Sequence, residues 1–189
     1  MRPIAESQAD RAVAVIVAAF ENDPVERWMF PDLEHYRRDF PAFVVAFGGE
    51  ALRHGTAWEL DDFAAVALWL PPGAQADGEA IGRIFENRVG AEKQEDLAAV
   101  AGQMEDLHPG DPHWYLPWLA VEPARRGRGL GSTLLAECLA RVDADGLPAY
   151  LETPNPRTIP LYERHGFEVT GEAVAGSCPP VTSMLRPAA

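Results

Sequence analysis

The sequence predicts an α/β layer fold of the α+β kind, in one domain, from three observations. Short apolar runs bounded by Gly and Pro alternate with amphipathic segments of helical spacing, the pattern of a sheet layered with helices. At 189 residues the chain is long enough for one sizeable core and short for two. Finally, residues 113–135 read without interruption as strand, glycine turn and helix.

Arg2 to Ala5 is a short first strand. Ser7 or Asp10 can cap a helix that runs to about Phe20, with Val13, Ile16, Val17 and Phe20 on its inner face. Asn22-Asp23-Pro24 ends it, and Trp28 to Pro31 reads as an aromatic irregular segment. A second helix extends from Leu33 to about Arg53, carrying Tyr36, Phe40, Phe43, Val44 and Phe47; Pro41 should kink or divide it, and Gly48-Gly49 weakens it again. Thr56–Leu60 and Ala64–Leu70 form a hairpin turning at Asp61-Asp62, with alternation too weak to set its register. Two polar helices, about Glu79–Val89 and Glu92–Leu107, lead to a turn at 108–112. After the strand, turn and helix that end near Asp145 come a fifth strand from Ala149, a short helix over 156–164, a sixth strand over 166–172 and a last strand from Val181 to Leu185. No internal repeat or low-complexity tract interrupts this order.

In the central stretch, an apolar strand through Leu119-Ala120-Val121 meets Pro123, which cannot continue a ladder. Gly127, Gly129 and Gly131 follow, and then Leu130, Leu134, Leu135, Cys138, Leu139 and Val142 at helical spacing. Glycines without Cβ atoms at a helix N-terminus offer amides and a positive dipole end to an anion, and Arg125, Arg126 and Arg128 reinforce that field; a solvated basic turn is the plainer alternative. A Walker loop would need Lys before Ser132, where Gly131 stands. A dinucleotide fingerprint would need a third glycine at Ser132, although Glu152 lies at a distance suited to a ribose-binding acid.

Arg126-x-x-Gly129-x-Gly131 after this strand resembles the acetyl-CoA signature of the GCN5-related N-acetyltransferase (GNAT) superfamily. Ala149-Tyr-Leu-Glu152, Asn155, Tyr162 and Gly166-Phe167 downstream are similar to its second CoA-binding segment. Leu151 to Phe167, with Ala19-Phe-Glu-Asn-Asp-Pro24 and Ser183-Met-Leu-Arg186, resembles the branch that contains puromycin N-acetyltransferase; it departs at Asn155 and is loose over 25–60. The resemblance implies a mixed, mostly antiparallel sheet splayed between its fourth and fifth strands, with helices on both faces. It also implies an acetyltransferase domain over 1–189, with acceptor-side helices at about 8–55 and an acetyl-CoA-binding core at about 113–172.

On that resemblance, acetyl-CoA as donor is held by Leu119, Ala120, Val121, Arg126, Gly127, Arg128, Gly129, Leu130, Gly131, Ser132, Asn155 and Tyr162. A main-chain amide of Leu119 to Val121 would polarise the acetyl carbonyl. Tyr162 is the expected general acid, because a phenol of pKa near 10 stays protonated at neutral pH; packing is its alternative role, and helix capping that of Asn155. An acceptor amine must also lose a proton, and Glu152 at the end of the fifth strand is the first candidate base, ahead of His113, Asp23 and Glu26. Asp23, Glu26, Trp28, Phe30 and Tyr36 are the expected acceptor-binding residues, acids and aromatic faces suited to an amine with an apolar body. Core packing accounts for Phe30 and Tyr36 equally well. A non-catalytic acyl-CoA-binding sensor or interaction module is the alternative function.

Composition sets outer limits. The chain is 47% hydrophobic and 24% charged, which argues against disorder, and its net charge of -13 argues against non-specific nucleic-acid binding. Cys138 and Cys178 are too few for a disulfide framework, and the five histidines form no metal-ligand spacing. The apolar run Ala12–Phe20 lacks a basic leader and falls short of a membrane span. These limits, joined to what the resemblance implies, lead to the expectation of a cytoplasmic enzyme acting as monomer or homodimer on a small-molecule amine, without metal, nucleic acid or membrane.

Overall fold

A computed structural model describes residues 1–188. One seven-stranded sheet, in the order β1-β2-β3-β4-β5-β7-β6, forms its centre. Its strands are β1 (Arg2–Pro3), β2 (Ala57–Leu60), β3 (Ala65–Leu70), β4 (Trp114–Val121), β5 (Ala149–Thr153), β6 (Glu168–Ala173) and β7 (Val181–Arg186). Every pairing is antiparallel except β4 with β5. That parallel pair meets at only two positions, Trp114↔Ala149 and Tyr115↔Tyr150, after which the strands part.

Two clusters of buried side chains cover the two faces. On one, Val66, Leu68 and Leu70 of β3 and Tyr150 of β5 pack beneath α1 (Ala9–Phe20), α3 (Leu33–Gly48) and α5 (Gly78–Arg88). On the other, Ala65, Ala67, Trp69 and Leu151 pack against α7 (Leu130–Val142) and α8 (Ile159–Glu163). Because β3 is buried on both faces, its sequence is a continuous apolar run. That is why the hairpin showed little alternation, although its register, Ala57↔Leu68 to Leu60↔Ala65, is regular.

β4 breaks its own parity. Against β3 the register moves from Leu68↔Trp118 to Leu70↔Tyr115, so that Trp69 alone faces two residues and a bulge lies at Leu116-Pro117. A bulge tolerates the proline, which has no N–H for the ladder. It also places Tyr115 and Trp118, three residues apart, on the same sheet face. Trp118 there meets Phe20, Phe40, Phe43 and Phe47 edge-on, and its Nε1 donates to the Val44 carbonyl at 3.1 Å.

Several boundaries differ from the sequence reading. The segment expected to be irregular, Trp28 to Pro31, overlaps a helix that was not expected, α2 (Pro24–Met29): Pro24 opens it, and Asp23 Oδ1 accepts the Val25 and Glu26 amides at 3.1 and 3.5 Å. Neither Ser7 nor Asp10 caps α1, which follows a 3-10 turn over Glu6–Gln8 without a side-chain cap. α3 continues through Pro41 and ends instead at the glycine pair, before α4 (Glu50–Arg53). The short helix expected from residue 156 starts at Ile159, because Asn155 is engaged in a turn in which its Oδ1 accepts the Arg157 amide at 3.1 Å. α6 (Gln94–Leu107) lies beside β6 and β7.

Candidate active site

Where β4 and β5 part, a cleft of about 1400 Å³ opens through the sheet. Leu119, Ala120 and Val121 line it from β4, Glu152 and Asn155 from the β5 side, Tyr162 from α8, and Asp23 and Glu26 from the start of α2. Past Tyr115, β4 has no strand partner on its β5 side, so the main chain of that edge is open to pairing by an extended ligand.

At one end lies the glycine turn. Gly127 and Gly129 have φ of 76° and 78°, the left-handed region that glycine adopts without strain. The first helical bond of α7 runs from the Thr133 amide to the Gly129 carbonyl at 2.9 Å, so the amides of Leu130, Gly131 and Ser132 precede it at the positive end of the helix dipole. A Cβ on Gly131 would come within 3.3 Å of Val121 Cγ2, so that glycine lets helix and strand pack closely. Arg128 is exposed. Arg125 pairs with Asp61, the Arg126 guanidinium donates to the Ala19 carbonyl, and Ser132 Oγ lies 2.8 Å from His165 Nε2. Of the three arginines, only Arg126 reaches the cleft lining.

Alternation along β5 sorts the polar groups by face. Tyr162 belongs to the α7 face and is 8% exposed; its hydroxyl has no hydrogen-bond partner among the described residues. Burial, then the Asp23 charge, pushes this phenol above its ordinary pKa, so it holds its proton. Glu152 shares the opposite face with Tyr150. Its carboxyl is 7% exposed and accepts the Tyr115 hydroxyl at 2.6 Å. The Tyr150 hydroxyl bridges Glu152 Oε1 and Ser183 Oγ at 3.0 Å each. Burial, followed by the Glu152 charge, raises both phenols, which stay protonated and fix the carboxyl's direction.

His113, a lesser candidate base in the sequence, and His108, which sequence reading missed, continue this network. His108 Nδ1 is 3.8 Å from Glu152 Oε1, and its Nε2 is 2.9 Å from His113 Nε2, while His113 Nδ1 lies 2.8 Å from the Asp111 carbonyl. Burial lowers the His113 pKa, so this imidazole is neutral at pH 7 and free to accept a proton. The signal was two histidines flanking the 108–113 turn, but only the fold places the turn beside Glu152.

Asp23 and Glu26 are each 5% exposed, and Glu26 Oε2 has no hydrogen-bond partner. Burial raises the Asp23 pKa to about 6 and, with the Asp23 charge adding to it, raises that of Glu26 as well. The aromatic residues expected to join them, Trp28, Phe30 and Tyr36, do not line the cleft. Tyr36 is fully buried, stacked on Phe40, with its hydroxyl donating to the Val17 carbonyl; Phe30 is 1% exposed; and Trp28 Nε1 donates to Ser177 Oγ. Phe20, Phe43, Phe47, Phe85 and Trp118 form the aromatic wall instead. Among the described residues no group of His, Cys, Asp or Glu could hold a metal ion, and no helix is long and apolar enough to cross a membrane.

The sheet thus opens beside a glycine turn, and a protonated phenol and a carboxyl line the opening. The chain belongs to the acetyltransferase (GNAT) family, whose model matches residues 16–167. An uncharacterized N-acetyltransferase of Schizosaccharomyces pombe is 26% identical over 179 residues, covering 83% of this chain and 69% of that protein. A Corynebacterium glutamicum structure described as histone acetyltransferase HPA2 and related acetyltransferase superposes with a TM-score of 0.69 at 26% identity, covering 100% of this chain and 95% of that one. The fold is also shared with arylalkylamine N-acetyltransferase 2 of Aedes aegypti, at a TM-score of 0.59 and 14% identity, covering 100% and 98% of the two chains. The protein is thus an N-acetyltransferase of the GNAT type.

Proposed function

We propose that this enzyme transfers an acetyl group from acetyl-CoA to a primary or secondary amine of a small molecule, by direct attack of the amine on the thioester. The observation that carries this reading is the placement of Tyr162 and Glu152 on opposite sheet faces of one opening, at the end of which lies the glycine turn.

The turn suits the diphosphate of the donor: left-handed glycines bend the backbone, and the amides of residues 130–132 sit at a helix N-terminus. The unpaired edge of β4 suits the amide-bearing arm. Bound there, acetyl-CoA supplies an acetyl carbon already activated as a thioester. A main-chain amide of Leu119 to Val121 would meet the negative charge developing on the carbonyl oxygen. Glu152 Oε1 takes the proton of the attacking nitrogen and can pass it through His108 to His113. Tyr162 gives its hydroxyl proton to the departing sulfur. One N–C bond forms, one C–S bond breaks, and both protons have named carriers.

Incubating the protein with acetyl-CoA and an amine panel should release free thiol only when an acceptor is present. Tyr162→Phe should lower kcat about 10²- to 10⁴-fold, the usual worth of a positioned acid, and leave CoA affinity within a factor of about two. A matching loss of CoA affinity would make that tyrosine a packing residue.

A further inference from the structure

We propose that the acceptor is a dication, an amine whose reacting nitrogen lies at Glu152 while a second nitrogen, held as an ammonium by Asp23 and Glu26, anchors the other end. The inference rests on the acetyl-transfer reading and names the substrate class for the same cleft.

Three observations carry it. First, the cleft holds two separate carboxylate centres with opposite equipment. Each Glu152 oxygen accepts one tyrosine hydroxyl, from Tyr115 and Tyr150, and keeps a lone pair free, and the carboxyl leads to the His108–His113 pair. Glu26 has Oε2 sealed from solvent without any partner, and Asp23 spends one oxygen capping its own helix. Second, neither Asp23 nor Glu26 forms an ion pair among the described residues, although both are 95% buried on the wall of a ligand-sized cleft. A buried carboxyl left unpaired is costly unless a ligand completes it. Third, the same cleft is lined by apolar side chains: Phe20, Phe43, Phe47, Phe85 and Trp118 suit a hydrocarbon spacer.

Chemistry decides which centre does which task. An amine must be neutral to attack, and a nitrogen clasped between two carboxylates is held in its protonated, unreactive form. Only Glu152 has a proton exit. The Asp23–Glu26 pair therefore suits a cation that stays charged throughout.

The test compares length-matched acceptors on the wild-type enzyme: 1,6-diaminohexane, hexylamine and 6-aminohexanoate. A buried charge-assisted contact corresponds to roughly 10- to 100-fold, so kcat/KM should favour the diamine over hexylamine by that factor, with the carboxylate-ended amine used least. Glu26→Gln should shrink the diamine-to-hexylamine ratio by a similar factor. Equal use of diamine and hexylamine by the wild type overturns the proposal, whether or not the variant folds, and so does an unchanged ratio in a folded variant. Binding of 1,6-diaminohexane to the CoA-loaded protein, where no acetyl is available, separates the two readings. Diamine binding that Glu26→Gln weakens, with no transfer to any amine, sinks acetyl transfer and leaves the dication site standing. Transfer to many amines with no preference for a second charge does the reverse.

Discussion

Asp23 performs two tasks that pull against each other. Its Oδ1 caps α2 by accepting the Val25 and Glu26 amides, which favours a charged carboxylate, while 95% burial disfavours that charge and wins, raising the pKa from 3.8 to about 6. A carboxyl that holds its proton more tightly folded than unfolded contributes stability at low pH, and this is lost as pH rises from about 4 through about 6. Two pKa units correspond to on the order of 3 kcal/mol. Asp23→Asn keeps a cap and removes the charge, so it should melt higher than wild type at pH 7.5 and lose that advantage at pH 4. Asp23→Ala also removes the cap and should fall about 1 kcal/mol below the Asn variant. Thermal melts at the two pH values check both signs. A residue retained at a cost to stability is what a ligand-binding carboxyl requires.

At the scale of elements, α3 and β4 are fitted to each other through one glycine. A Cβ on Gly48 would lie 2.5 Å from Trp118 Cδ1 and 3.2 Å from Pro117 Cγ, against the bulged part of β4. Gly48→Ala should therefore cost about 1–3 kcal/mol by overpacking. Gly82→Ala, inside α5 where a Cβ meets nothing within 4 Å, should instead stabilise by about 0.5–1 kcal/mol through helix propensity. Denaturant melts of the two variants should move in opposite directions. The sequence pointed to Gly48-Gly49 as a weak spot but could not show that the first of the pair is there to admit Trp118. The bulge was legible only as Pro117 inside an apolar run; its consequence, Tyr115 and Trp118 on one face, depends on the partner strand's register. The helix α2 was missed because its signals, Asp23 and Pro24, also end the preceding helix.

For the whole molecule, binding of the donor should show in global stability. A ligand at 100 times its Kd stabilises by about 2.7 kcal/mol, which for a chain of 189 residues raises Tm by about 5–10 °C. CoA should produce that shift and NAD none, as a melting scan would show. A net charge of -13 also draws cationic acceptors, so KM for amines should rise with salt.

Sequence alone determined what depends on neighbours along the chain: the strand, glycine turn and helix at 114–142, the order of the elements around them, and the family to which that turn points. The family resemblance, through the spacing of Asn155, Tyr162 and Gly166-Phe167, also named Tyr162, and the end of the fifth strand named Glu152. Tertiary structure decided what depends on register, parity and burial. It set Tyr162 and Glu152 on opposite faces, brought His108 and His113 behind Glu152, turned Phe30 and Tyr36 into the core, and left Glu26 buried without a partner. Local backbone preferences act over a few residues, whereas the face a side chain occupies, and the charge it can bear there, are set by segments far away in sequence.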